Sequence, residues 1–453
     1  MMQMILLNQL VRITAGWIGL AAVSASLSAA LPAATTPVAI WNEQALGSIR
    51  AEKTPPPKAS RALAMLHVAI HDAVNGIDNN YQQYWVKTGQ PTGPASNVAA
   101  AVTAAHDVLA ALYPARVGGF DAELSLDLDT LSSGPEKTAG IAWGHSVAAA
   151  ILASRVADGS TTLVTYTPGT GAGYWVPTPP AFLPALLPEW GGVKPFGILD
   201  ASKYVPPAPP ALNSDQYAAE VAEVKSLGSA TSAIRTADQT QIAKFWANGA
   251  GTSTPPGHWN QIARTVIVGS GLTLGEEARL FALLNVAMAD AAIVAWQTKY
   301  TYNLWRPISA IRSADLVPQT ASLVDGTWTP LLVTPNFPEY TSGHSTFSAA
   351  ASAVLTRFFK NPHFAFTVGN EDLPGVERSY PSFEAAAIES GMSRIYGGIH
   401  FQSGNQYGLS SGSRIGKYVA KKLLKRLEVE NEGDDQTERT ESDQHAEETE
   451  GSH

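Results

Sequence analysis

The chain contains no cysteine, which excludes a disulfide framework, thiolate-bound zinc, iron–sulfur clusters and a cysteine nucleophile. Charge is scarce as well: only 15 % of the 453 residues are Asp, Glu, Lys or Arg, against 45 % hydrophobic. A composition that apolar, at this length, buries a large core and is incompatible with wholesale disorder. The net charge of −9 is unevenly placed. Glu428–His453 holds eleven acidic residues and one basic, Arg439, a local −10 that leaves the remaining body near +1. A body without basic excess excludes nucleic acid as the main partner, because binding a phosphate backbone needs a cationic footprint. Strand-like alternation is rare, and beyond the N-terminal segment no uninterrupted apolar run reaches the roughly 18 residues that span a bilayer.

What is present divides the chain. Residues 1–34 read as a secretory signal: Arg12 is the one charge, Ala15–Ala25 is apolar, and Leu27-Ser28-Ala29-Ala30 offers a cleavage site. The expected location is therefore exported, periplasmic or extracellular, with no membrane span in the mature chain. Residues 35–230 form an N-terminal helical region, and 231–427 a catalytic helical-bundle domain. Residues 428–453 are an acidic tail, polar and free of aromatics, and expected to be disordered. Apolar residues at helical spacing predict helices at 60–76, 98–112, 140–156, 214–227, 236–246, 275–302, 345–359, 383–396 and 412–427. Tyr166–Pro210 carries eleven of the thirty prolines, so its core, 168–210, reads as a long ordered loop. The predicted class is all-α.

Three local patterns carry little. Gly408-Leu409-Ser410-Ser411-Gly412 fits G-x-S-x-G but lacks the buried strand that a nucleophile elbow needs. Gly169–Gly173 lacks the flanking strand and helix of a dinucleotide loop. His67 and His71, with Asp72, have zinc-ligand spacing but no evident third ligand, and His67 falls on an apolar helix face, so packed histidines are the better reading.

A fourth pattern is chemically rich. Lys299 and Arg306 are seven apart, which on a continuous helix puts them on nearly one face about 10 Å apart, with Pro307 ending that helix. Ser342-Gly343-His344 opens an Ala-rich helix, with Ser342 as N-cap and Gly343 leaving the first N–H groups approachable, an anion-binding arrangement. Ser393-Arg394 ends another helix, and Gly397-Gly398 re-aims His400 after it. Three cations, hydroxyl and amide donors and two imidazoles suit a tetrahedral oxyanion, with one histidine attacking or ligating and the other shuttling a proton.

The order K-x6-R-P, S-G-H and S-R-x5-H resembles the signature of the superfamily of vanadium-dependent haloperoxidases and type 2 phosphatidic acid phosphatases. Upstream, IAKFWANG, TPPGHWNQIAR and RALAMLHVAIHDAVNG resemble its haloperoxidase branch. The resemblance implies an all-α helix bundle with the site in its core. It implies that Lys299, Arg306 and Arg394 bind the oxygens of vanadate, or of phosphate in the same place, helped by Ser342 Oγ and the Gly343 N–H. His400 would be the vanadium ligand or the phosphatase nucleophile, His344 the general acid/base, and Trp296 and Phe337 the pocket wall. Partners would be hydrogen peroxide and halide, or a phosphomonoester. The expected activity is an exported vanadate-dependent haloperoxidase; the alternatives are an acid phosphatase working through a phosphohistidine and a non-catalytic oxyanion-binding protein.

Two departures set further expectations. Thr341 stands where proline usually precedes Ser-Gly-His. Gly404 stands four after His400, where an acid usually orients the imidazole, a loss expected to weaken phosphohistidine chemistry more than metal ligation. For Arg394 the acidic partner is sought at Asp238, since Asn248 stands where an acid is expected.

Overall fold

A computed structural model describes residues 36–427; the signal segment and the acidic tail read from the sequence lie outside them. The helices are, in order, α1 (Pro37–Ala51), α2 (Pro56–Asp78), α3 (Asn97–Leu112), α4 (Val117–Asp129), α5 (Pro135–Ser154), α6 (Asp215–Leu227), α7 (Ala237–Phe245), α8 (Thr254–Ile267), α9 (Leu274–Tyr302), α10 (Pro307–Arg312), α11 (Gly343–Phe359), α12 (Phe383–Tyr396) and α13 (Gln402–Lys422). The all-α class holds, with one small addition: an antiparallel hairpin of β1 (Phe366–Gly369) and β2 (Glu377–Tyr380). The Pro-rich segment is irregular apart from two 3-10 turns, Trp190–Gly192 and Ala201–Tyr204.

The main hydrophobic core runs from Val38 to Leu424 with α9 through it, and a second cluster, with Tyr217, Trp305, Tyr340 and Phe401, lies beyond the end of that helix. α9 starts at a reciprocal cap, Thr273 Oγ1 to the Glu276 N–H and Glu276 to the Thr273 N–H, and ends where Asn303 adopts a left-handed conformation. By length and hydropathy it could cross a bilayer, but its apolar window is 94 % buried inside the protein, the mark of a core helix. α2, α11 and α13 pack on it. α11 and α13 meet through backbone: a Cβ added at Gly412 would lie 2.1 Å from Thr346 O, and one at Gly416 2.3 Å from Ala350 O. Only glycine permits that approach, and it holds the Ser342 turn, at the head of α11, against the first turn of α13.

Two buried aspartates pin the Pro-rich and 80s loops to this frame. Asp290 on α9 accepts from the N–H groups of Phe196, Gly197 and Ile198, and Asp72 on α2 from those of Tyr84, Trp85 and Val86. Burial pushes both carboxyls up to about 6, and the amide donors offset part of the rise. His67 and His71 are packed core residues: His67 Nε2 meets Asn42 Oδ1 at 3.0 Å, and its ring lies 5.0 Å from that of Phe281. The G-x-S-x-G match sits mid-helix in α13.

Candidate functional site

The three sequence patterns come together at the C-terminal end of α9. Lys299 remains on the last turn of α9, but Arg306 does not share its helix. The chain breaks at Asn303, and Arg306 is the residue capping α10 in extended conformation. The expected single helix is thus replaced by a turn, because Asn303 takes the left-handed conformation before Pro307 can end anything. The turn still aims both cations inward, and both are fully buried.

Lys299 donates to the carbonyls of Pro338, Glu339 and Thr341, so all three of its N–H groups shape the 338–341 turn. Its charge lies 4.9 Å from the Phe337 ring centre, and the Arg306 guanidinium 4.8 Å from the same ring. Phe337 thus neighbours both cations and stands 5.0 Å from the Trp296 ring, giving the site an apolar wall. Trp296 is held by its indole N–H on Leu186 O, in the Pro-rich segment.

Arg306 Nε donates to Phe337 O, and Nη1 donates to Ile399 O and to His400 Nε2 at 3.1 Å. Arg394, at the end of α12, donates Nη1 to Trp246 O. Arg306 Nη2 and Arg394 Nε are buried with no partner. Burial pulls Arg306 down to about 10; it pulls Arg394 to about 9, with Arg306 repelling it and Asp372 partly offsetting. Lys299 is held well below the ordinary lysine range by burial and by Arg306.

His400 is fixed by opposed partners. Its Nδ1 lies 2.7 Å from Glu339 Oε1, whose carboxyl burial pushes up to about 7 against the pull of Lys299 and Arg306, and its Nε2 faces an Arg306 N–H, which donates only and so settles the tautomer. The proton is therefore on Nδ1 and the lone pair on Nε2. Burial holds His400 well below the usual histidine range, and the charges of Arg306, Lys299 and Arg394, with His344, add to that depression. His344 meets Ala247 O at 3.2 Å through Nε2. A carbonyl accepts only, so Nε2 carries the proton and Nδ1 keeps its lone pair. His344 is likewise depressed, by burial and then by Arg394. Ser342 caps α11 by accepting from the Ser345 N–H, and its own N–H donates to Gly404 O at 2.9 Å. At Gly343 a Cβ would touch the Trp296 ring at 3.7 Å, so the helix's first N–H groups lie beside the wall.

Two carboxylates here escaped sequence reasoning. The imidazole of His400 does not lack an acid: Glu339 supplies it from five residues before His344 rather than four after His400. The expectation that the Gly404 departure weakens histidine chemistry is therefore corrected. Asp238 does not serve Arg394; it pairs with Arg378 at 2.9 Å on the surface. The acidic charge acting on Arg394 is that of Asp372, which accepts from the Asn248 N–H at 2.6 Å. The one local hint of Glu339 was its place in FPEYTSGH, a carboxylate in an otherwise apolar approach to a helix cap.

Among the described residues no group of three or more His, Asp or Glu side chains is placed to cage a metal cation. One neutral imidazole lone pair amid three buried cations, two of them with unpaired N–H groups, suits instead an anion that carries its own oxygens. Vanadate and phosphate both fit that donor set.

The comparisons agree. The family model described as the VCPO second helical-bundle domain matches residues 279–428. A vanadium chloroperoxidase of Curvularia inaequalis is 26 % identical over 457 residues, covering 77 % of this chain and 74 % of its own. The structure of a bacterial vanadium-dependent iodoperoxidase superposes with a TM-score of 0.77 at 29 % identity, covering 87 % of this chain and 98 % of that one. A holo-type bacterial vanadium-dependent chloroperoxidase, at 18 % identity and TM-score 0.65 over 81 % of this chain and 92 % of its own, shares the fold. These matches support the resemblance read from the sequence, to the superfamily of vanadium-dependent haloperoxidases and type 2 phosphatidic acid phosphatases.

Proposed function

We propose that this chain is an exported vanadate-dependent haloperoxidase that oxidises halide with hydrogen peroxide. The observation that carries the reading is the buried trio Lys299, Arg306 and Arg394, with Arg306 Nη2 and Arg394 Nε unpartnered, around a His400 whose Nε2 lone pair is exposed only to Arg306. Bound vanadate supplies a Lewis acid that activates peroxide toward a halide. The residues do the rest. His400 Nε2 would hold the group, and Arg306 would offer its N–H groups, Nη2 among them, to the oxygens. Arg394 adds a second guanidinium and the Gly343 N–H and Ser342 Oγ neutral donors, while Lys299 contributes charge from behind the 338–341 turn. His344 Nδ1 would be the base for the peroxide proton, and Trp296 and Phe337 would keep the local dielectric low so that these charges act strongly.

The second reading, a phosphatase using the same pocket on a phosphomonoester, gains from Glu339, because a carboxylate-backed His400 retains a nucleophilic Nε2. The non-catalytic reading loses its premise for the same reason. Purified without phosphate, then given orthovanadate, the protein is expected to brominate or iodinate a reporter phenol with peroxide. Hydrolysis of a chromogenic phosphomonoester that vanadate inhibits, without halogenation, would replace the first reading by the second. His400→Ala is expected to abolish turnover and vanadate binding while the thermal transition stays cooperative. Export is tested separately by cell fractionation and N-terminal sequencing of the mature protein, with a new N-terminus near residue 30 expected.

A further inference from the structure

The missing acid at position 404 and the acid at position 339 compete for one place. A Cβ built on Gly404 would lie 2.3 Å from Glu339 Oε1 and 3.0 Å from its Cδ. In an aspartate the Cβ-to-Oδ distance is about 2.4 Å, from bonds of about 1.5 and 1.25 Å. Glu339 Oε1 thus stands at the distance from that Cβ that an Oδ of an aspartate at 404 would have, and within reach of His400 Nδ1.

We propose that Glu339 is the positioning residue of His400 and that Gly404 is the vacancy that admits it, so that a carboxylate at 339 and a side chain at 404 exclude each other. The surroundings are built for this oxygen. Oε1 accepts from His400 Nδ1 at 2.7 Å and from the Phe401 N–H at 3.0 Å. The backbone of 339 is tied on both sides, its N–H to Leu304 O at 2.9 Å and its carbonyl to Lys299. The carbonyl of Gly404 in turn takes the Ser342 N–H. Residue 339, through its carboxylate and its backbone, therefore ties the ends of the first and third motifs together. It holds His400 in the tautomer with its lone pair on Nε2 and makes that lone pair the better donor. This inference rests on the reading of His400 as the ligand of the bound oxyanion.

The test compares wild type, Glu339→Ala, Gly404→Asp and the double variant in the full chain. One readout is the tautomer of His400 by ¹⁵N NMR without vanadate; the other is vanadate affinity by calorimetry. Glu339→Ala, which leaves only the Arg306 N–H on Nε2 to hold the ring, is expected to populate the Nδ1–H tautomer less fully and to bind vanadate about 10- to 100-fold more weakly. Gly404→Asp alone crowds Glu339 and is expected to weaken binding too. The double variant is expected to recover the tautomer and to bind within a few-fold of wild type, better than either single change. A folded double variant no better than Glu339→Ala overturns the proposal, as does a Glu339→Ala protein with wild-type tautomer and affinity. Should Glu339→Ala fail to fold, Glu339→Gln keeps the acceptor and removes the charge; it is expected to keep the tautomer and lose affinity, and an unchanged affinity overturns the proposal. A wild-type chain that binds no vanadate refutes the ligand reading of His400, while the apo tautomer series still decides whether positions 339 and 404 exchange roles.

Discussion

Replacing Arg394 by methionine should make the empty protein more stable and worse at holding an anion. Arg394 is 3 % exposed, and burial with Arg306 repulsion brings it from 12.5 to about 9. That depression disfavours the charged form by roughly 5 kcal/mol, at about 1.36 kcal/mol per pKa unit. Methionine removes the charge but abandons the bond to Trp246 O, which costs about 1–3 kcal/mol. The net is a stabilisation of about 2–4 kcal/mol. For about 390 ordered residues the unfolding entropy is about 0.8 kcal/mol/K, so the gain corresponds to a Tm higher by about 2–5 °C. Phosphate affinity should meanwhile fall at least about 30-fold, since truncating one partner of a buried charge contact costs about 2–5 kcal/mol. Calorimetry in phosphate-free buffer measures the first quantity and phosphate titration the second. A Tm several degrees lower, or a phosphate affinity within threefold of wild type, would refute the claim that Arg394 is a cation kept at a cost for an anion.

Three further outcomes follow from packing and protonation. Gly412→Ala forces a methyl to 2.1 Å from Thr346 O and should cost about 1–3 kcal/mol, whereas Gly118→Ala, exposed on α4 with nothing within 4 Å, should gain about 0.5–1 kcal/mol; urea unfolding reads the sign of each. Burial pushes His67 from 6.5 down to about 3, so below pH 6.5 the unfolded chain takes up a proton that the folded one refuses. That contribution to stability is complete above pH 6.5 and is lost as the pH falls toward 3, by about 2 kcal/mol at pH 5. His67→Gln removes it, so the stability gap between wild type and variant should narrow by about that amount from pH 7 to pH 5; a constant gap would contradict a neutral buried His67. Occupancy of the site by phosphate at a hundredfold its Kd should add about 2.7 kcal/mol, or about 3 °C in Tm, and His400→Ala together with Arg394→Met should erase that increment.

The periodic helices were readable because their apolar residues repeat, and α12 occupies the span its sequence predicts, Phe383–Tyr396. What the periodicity missed has physical causes. α8 opens with Thr-Pro-Pro-Gly, which reads as a break, yet proline is tolerated in a first turn where its N–H would have no partner. α4 opens Val-Gly-Gly, another apparent turn. α13 begins ten residues earlier than its apolar residues announce, because Gly404, Gly408, Gly412 and Gly416 let its first half meet α11 and the Ser342 turn backbone to backbone. Spacing rules see side chains that bury area, not ones whose absence permits approach. The basic and imidazole residues of the site stand in fixed order along the chain and could be named from it. The carboxylates Glu339 and Asp372 could not, since each reaches its partner only through the tertiary fold, and position 404 shows only that an acid is missing.

The most direct measurement is the anomalous scattering of vanadium in crystals grown with orthovanadate. The expected result is one peak per chain, within bonding distance of His400 Nε2, its oxygens met by Arg306 and Arg394, with Glu339 still on Nδ1. A peak elsewhere, or none at saturating vanadate while the five side chains keep their places, would contradict the oxyanion site.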